Sequence, residues 1–573
     1  MKSEAPVRTG TEESAVRDDE RIPPIEKRSS ALDRRGFLGQ LGIGAASLVG
    51  LRATASAVVS QGSDSAPAGK DIGPGLGVET RQSRAFEVRM RAAELARNRQ
   101  PALQTGNGEE SLYEKRIASY SKGLPHNAIG DVDPAAYTAF LAAIASADPA
   151  DFERLPMGLG RKLTNPLAGM AFDLEGPDSH HLAQPPAPTI ASGEGGADLG
   201  ELYWMALCRD IHFSDWATSS TIADAAGDLT RFPDFRGPKN AGGQVTADTI
   251  FRGSTAGDLV GPYLSQFLWL DIPMGALRIS QRVWTVPAGQ DFLTRYDDWL
   301  ASQNGFEDYS YTIDSTARYI RNLRDLAQWV HVDALYQAYH QACLILLGAG
   351  APFQAGNPYA SSVTQIGFGT FGGPHILSLV AEVATRALKA VWYQKWFVHR
   401  RLRPEAFAGL VHNRRIGAAN YPVSQDILNS SAPDAVYSRF GSYLLPLEAP
   451  EGCPTHPSYG AGHATVAGAC VTILKAWFDG SFVLPRTWVP DASGTALTPY
   501  HSVPLTVENE LDKLAANIAI GRNAAGFHYR SDYWQSLLLG ERIAIDILEE
   551  QRNTYRELCT FTFRGFEGQT ITV

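Results

Sequence analysis

The chain has 573 residues, 44% of them hydrophobic and 20% charged, an ordinary balance for a globular protein with a large core. A formal net charge of −10 argues against a nucleic-acid partner, so any basic pocket is a local feature rather than part of a basic surface. The five cysteines (Cys208, Cys343, Cys453, Cys470 and Cys559) include no CxxC pair, which leaves zinc-ribbon and thioredoxin readings unsupported.

In chain order, residues 1–57 read as an export signal with a polar extension. The run Asp33-Arg34-Arg35-Gly36-Phe37-Leu38 precedes an apolar stretch from Leu41 to Leu51, and Ala53, Ala55 and Ala57 offer a cleavage site. The stretch falls short of the about 20 apolar residues of a membrane span. The expectation is a twin-arginine-type signal and a periplasmic or secreted protein with no membrane segment in its mature form. Disulfides are permitted there, although an odd cysteine count leaves at least one thiol free or intermolecular.

Residues 58–82 read as a Gly/Ser/Ala/Pro linker and 83–573 as one helical domain. Helical periodicity starts near Ser83. Asp133-Pro134 opens a helix from Asp131 to Ala147, with an N-cap followed by proline in the first turn. Residues 182–199 read as a loop, Leu202–Arg209 and Asp333–Leu347 as helices, and 349–374 as a packed loop. Ile376–Leu402 is the most regular helix, with a stripe of Leu377, Val380, Val383, Ala384, Ala387, Leu388 and Val391. Residues 411–455 read as an irregular connection. Helices follow over Gly462–Phe478, Val507–Ala525 and Tyr533–Gln551, the last capped by Ser531 or Asp532. Strand signals are few. The class is all-α: helical bundles in two four-helix-bundle-like halves with long irregular loops.

Four C-terminal segments carry the chemistry. In KWFVHRRLRP, Lys395, His399 and Arg403 stand four residues apart, one stripe of a helix, and Pro404 biases Arg403 out of helical geometry. Taken alone, this describes a solvated basic face as well as a site. In HPSYGAGHA, His456 and His463 flank small residues that run into a helix near Gly462, where open amides can face an anion. Alone, that is a glycine-rich turn with two structural histidines. In GRNAAGFH, followed by YRSD, Arg522 and His528 are six apart, the wrong spacing for one face; a left-handed cap at Gly526 would swing His528 back toward Arg522. His180 and His181 carry no spacing signal and read as structural or surface residues.

Jointly and in this order, the segments resemble the vanadium-dependent haloperoxidases of the algal and bacterial bromoperoxidase type. That family is related through its anion cage to bacterial acid phosphatases. Seven residues separate Lys395 from Arg403, as in the algal-type enzymes, where the phosphatase pattern has six. SKGLPHNAIGDVDPAAY from Ser121, AFDLEGPD from Ala171, ELYWMALCRD from Glu201, FGTFGGPHIL from Phe368 and EGCPTHPSYGAGHATVAGA from Glu451 extend the resemblance over most of the chain.

The resemblance implies vanadate as cofactor and no haem. It implies His528 as the vanadium ligand, with Lys395, Arg403, Ala461, Gly462 and Arg522 around the oxygens. His463 would be the acid–base, Lys395 would polarise the peroxide, and His456 would be the second histidine of bromoperoxidases. Trp392 and His399 would lie near the halide path. Hydrogen peroxide, a halide and a small organic acceptor are the implied partners, and a homo-oligomer the implied assembly. Two departures stand out. Ala461 replaces the family's usual serine, and Trp392 stands where algal bromoperoxidases tend to carry arginine and chloroperoxidases tryptophan. Bromide and iodide are the expected halides, with chloride open. The competing readings are an exported acid phosphatase with His528 as nucleophile, and an oxyanion-binding protein without turnover.

Overall fold

Helix Gly462–Trp477 is apolar on nearly every side, and the C-terminal half of the fold is arranged to cover it. Every residue of that helix except His463 is buried. A fully buried Val, Leu or Ile side chain contributes roughly 1.5–3 kcal/mol, so such a helix is stable only inside a bundle. The structure, a computed structural model, describes residues 78–307 and 310–573. In it, helices Gly373–Tyr393, Val507–Ala524 and Arg530–Arg552 pack around Gly462–Trp477. The crossing with Arg530–Arg552 is so close that a Cβ on Gly468 would lie 2.0 Å from the Leu537 carbonyl oxygen, and one on Gly540 2.1 Å from that of Thr465.

A second group of helices gathers around Gly193–Cys208: Ser220–Arg231, Pro404–Arg415, Gln425–Asn429 and Ala432–Phe440. The all-α expectation holds. The described strands form three short antiparallel hairpins, Ile272–Met274 with Leu277–Ile279, Trp488–Pro490 with Leu497–Pro499, and Thr562–Arg564 with Thr570–Thr572. Among the described residues no helix is long and apolar enough to cross a membrane. All five cysteines are buried and unpaired.

Several boundaries differ from the sequence reading. The export signal and most of the linker lie outside the described residues, but 78–82 belong to a helix, Val78–Asn98. The expected loop 182–199 gives way at Gly193 to a helix capped by Ser192, whose hydroxyl accepts the Gly195 N–H. The glycines that suggested a loop serve packing instead: a Cβ on Gly195 would lie 2.2 Å from the Thr189 carbonyl oxygen, and one on Gly196 2.6 Å from Ser424 Oγ. Asp333–Leu347 shortens to Gln337–Gly348, preceded by a separate helix Leu323–His331. The expected irregular stretch 411–455 contains the end of helix Pro404–Arg415 and two further short helices. The last long helix starts at Arg530, with Tyr529 as its N-cap residue, so Ser531 and Asp532 lie in its first turn. The helix predicted from Asp133-Pro134 is present as Pro134–Ser146, and Asp133 accepts the Ala136 N–H at 2.8 Å.

Candidate active site

The basic segment does not continue as one α-helix to Leu402. Helix Gly373–Tyr393 passes into a π turn at Gln394–His399, and Arg400 follows in the left-handed region at φ 42°. π turns recur at functional sites because one extra residue re-aims the side chains that follow. Here the turn breaks the expected stripe. Lys395 is fully buried and donates to the carbonyl oxygens of Pro457 at 2.7 Å and Ser458 at 3.0 Å. His399 turns away: its ring stands edge-on to Tyr459, and both nitrogens are buried without a hydrogen-bond partner.

Arg403 is extended, as a residue before proline should be, and is the N-cap residue of the next helix rather than the end of the previous one. It donates through Nε to the His456 carbonyl and through Nη1 to that of Phe527, both at 2.7 Å. Nor are the neighbouring arginines a solvated face. Arg400 makes a two-pronged pair with Glu110, and buried Arg401 joins Asp532 and Asp198.

Ala461 is the N-cap residue of the central helix and offers no capping side chain. The first intrahelical bond runs from Thr465 N–H to the Ala461 carbonyl, so the amides of Gly462, His463 and Ala464 precede the ladder. A Cβ on Gly462 would sit 3.1 Å from the Trp392 indole, so the indole packs closely on the start of this helix. The Ala461 N–H itself is taken by Ser536 Oγ at 2.7 Å.

The turn after Arg522 forms as the glycine predicted. Gly526 adopts φ 87°, its N–H bonds to the Asn523 carbonyl, and Phe527 N–H bonds back to the Arg522 carbonyl. This paired pattern reverses the chain and returns His528 toward Arg522. The Arg522 guanidinium lies over the Phe527 ring and donates to the Val330 carbonyl at 2.7 Å, while its Nε is buried without a partner.

Donor and acceptor logic fixes the histidines. His528 Nδ1 lies 3.0 Å from Asp532 Oδ2, an acceptor, and its Nε2 lies 3.1 Å from Arg403 Nη1, a donor. The ring is therefore the neutral Nδ1–H tautomer with the Nε2 lone pair turned toward the arginines. His456 Nδ1 faces Arg403 Nη2 at 2.8 Å and accepts from it. His463 Nε2 lies 3.0 Å from Asp333 Oδ1, which leaves its other nitrogen free of that pair.

Lys395, Arg403 and Arg522 thus share one buried space. Burial, reinforced by Arg403, pushes Lys395 well below its ordinary value; burial lowers Arg403 and pulls Arg522 down to about 10. Burial first, then Arg403, also holds His456 and His528 well below the usual imidazole range. Burial lowers His463 too, against the raising influence of Asp333. Three desolvated cations that repel one another, an arginine Nε with no acceptor and a set of free helix amides form a site built for a multiply charged oxyanion. The inward lone pair of His528 adds a ligand for a metal-centred one, so the residues fit vanadate.

Trp392 is part of the wall. Its ring lies 4.8 Å from that of His456 and 5.6 Å from Lys395 Nζ, and its Nε1 donates to the Thr164 carbonyl. The sequence reading missed the supports. Asp532 had a signal, since it stands four residues after His528 in a helix-opening segment. Asp333 and Ser458 had none, because their partners are set by packing.

Fold and site together define a helical-bundle protein with a buried oxyanion cage. Residues 375–557 match the family model described as VCPO second helical-bundle domain. The chain is 40% identical to a vanadium-dependent bromoperoxidase of Corallina pilulifera, over 87% of this chain and 100% of that protein. It is 35% identical to one of Ascophyllum nodosum, over 86% and 92% respectively. A vanadate-dependent bromoperoxidase structure from Ascophyllum nodosum, described as homohexameric, superposes with a TM-score of 0.85 at 30% identity, covering 91% of this chain and 94% of that one. The chain belongs to the vanadium-dependent haloperoxidase family.

Proposed function

We infer that this protein is a vanadate-dependent haloperoxidase that uses hydrogen peroxide to oxidise bromide, and iodide with it. The observation that carries the reading is the burial of Lys395, Arg403 and Arg522 close enough to His528 to act on its ring, with Arg403 Nη1 3.1 Å from its Nε2. Bound vanadate supplies a Lewis-acidic centre that activates peroxide toward halide without changing its own oxidation state. His528 Nε2 would ligate it. The three cations and the Gly462 amide would hold its oxygens, each charged bond contributing about 1.5–3 kcal/mol. His463, steadied through Nε2 by Asp333, would exchange a proton at its other nitrogen. Lys395 is positioned by the Pro457 and Ser458 carbonyls to which its Nζ donates. His456 and Trp392 would shape the halide approach, with the product passing to small organic acceptors.

The twin arginines and apolar run support export of the folded enzyme to the periplasm or beyond. The homohexameric relative supports a homo-oligomer.

The test is bromide- and peroxide-dependent halogenation of a phenol dye by the purified apoprotein, before and after orthovanadate. Activity that requires vanadate, is suppressed by phosphate and disappears in His528→Ala supports the reading. Phosphate-ester hydrolysis without halogenation would assign the cage to a phosphatase instead.

A further inference from the structure

A group of donors outside the cage has no part in this chemistry. Asp178, His180 and His181 lie on one tight turn, closed by a 2.9 Å bond from His181 N–H to the Asp178 carbonyl. One ligand atom from each side chain lies within 4.8 Å of the other two. The adjacent rings are tilted 45° with centroids 4.1 Å apart. His181 is only 8% exposed, and its Nδ1 is buried without a hydrogen-bond partner. A buried imidazole nitrogen with nothing to bond is rare enough in folded proteins to need an explanation.

We propose that Asp178, His180 and His181 form a second metal site, for one divalent transition ion of borderline softness such as Zn²⁺ or Cu²⁺. Two imidazoles and one carboxylate suit such an ion better than Ca²⁺ or Mg²⁺, which prefer all-oxygen shells. Metal–nitrogen distances of about 2.0–2.1 Å require donors about 3.3–4 Å apart, so these donors, now within 4.8 Å of one another, would draw together on binding. Three protein donors leave at least one position for water. Arg99, near enough to act on His181, is paired with Asp546 at 2.8 Å, which offsets its repulsion of a cation.

The turn sits where a bound ion would matter. The His180 carbonyl receives the Ala102 N–H at 3.1 Å, tying down the strap that follows helix Val78–Asn98. The next carbonyl that matters, Leu182, receives Nε2 of Gln394, the residue before Lys395. An ion here would staple the strap to the bundle one hydrogen bond away from the cage lysine's neighbour.

The experiment titrates the untagged full-length protein with Co²⁺ and then Zn²⁺, following visible absorption and the thermal midpoint. One equivalent of Co²⁺ should bind, be displaced by Zn²⁺ and raise the midpoint. His180→Gln and Asp178→Asn, both at half-buried positions, should each weaken binding at least tenfold while circular dichroism and vanadate-dependent bromination stay unchanged. No uptake by the unaltered protein, or uptake that both variants retain, overturns the proposal.

Discussion

Nδ1 of His528 lies 3.0 Å from Oδ2 of Asp532, one helical turn further along the chain. The same carboxylate accepts from Ser458 Oγ, from Arg401 at 2.8 Å and from the Tyr529 N–H at 3.2 Å. One buried carboxylate therefore fixes the tautomer of the proposed ligand, the start of the last helix and the loop that carries His456. Loss of such an outer partner typically lowers metal affinity or activity about 10–100-fold. Asp532→Asn should weaken vanadate binding in that range with the fold retained. An unchanged vanadate Kd would remove Asp532 from this role.

Ala461 has a methyl group where a serine would have a donor. A hydroxyl there could accept a helix amide as an N-cap and donate to the bound oxyanion at once. One added hydrogen bond is worth about 0.5–1.5 kcal/mol, roughly two- to tenfold in affinity. Ala461→Ser should tighten vanadate and phosphate binding by that factor, measured by calorimetry. Equal or weaker binding would mean that the side chain does not reach the anion.

Trp392 lies beside His456, the two rings tilted by 40° with centroids 4.8 Å apart. Trp392→Ala removes the indole wall and its cation–π contact with Lys395 but none of the hydrogen bonds that position the three cations. The ratio of kcat/KM for bromide over chloride should shift about tenfold, equivalent to about 1.4 kcal/mol, while vanadate Kd moves less than threefold. If both halides lose activity in proportion to vanadate affinity, the indole supports the cofactor instead.

Burial holds His126 and His399 down to about 4, and His456 and His528 well below their usual range. Unfolded, each would take up its proton near pH 6.5. Between about 4 and 6.5 the unfolded chain binds more protons at these rings than the folded one, so their contribution to stability rises with pH there and is lost as pH falls. Each such histidine contributes a slope of about 1.4 kcal/mol per pH unit. Buried Asp198 and Asp258, raised to about 7 by desolvation, contribute the opposite slope, so the test is the difference between proteins: from pH 6.5 to 4.5 the urea midpoint of His126→Gln should gain on that of the unaltered apoprotein. A midpoint difference that does not change with pH would contradict the burial of His126 as a neutral base.

What the sequence determined by itself was the chemistry and the local turns. Lys395, Arg403, Arg522 and three histidines are an inventory whose meaning does not depend on where each side chain points. Asp133-Pro134 and Gly526 acted through their own backbone preferences, so the helix start and the reversal toward His528 were readable in place. Tertiary structure decided which groups neutralise and orient that inventory. The π turn at Gln394–His399 broke the four-residue stripe and sent His399 against Tyr459. Glycines at 193–196, in a loop by composition, became the start of a buried helix because Thr189 and Ser424 press against it. Asp333 meets His463 across 130 residues and Val330 receives Arg522 across 192. Periodicity and capping report forces within a few residues of one another. Pairing across such separations is set by how the helices pack, and only the folded chain brings those partners within hydrogen-bond reach.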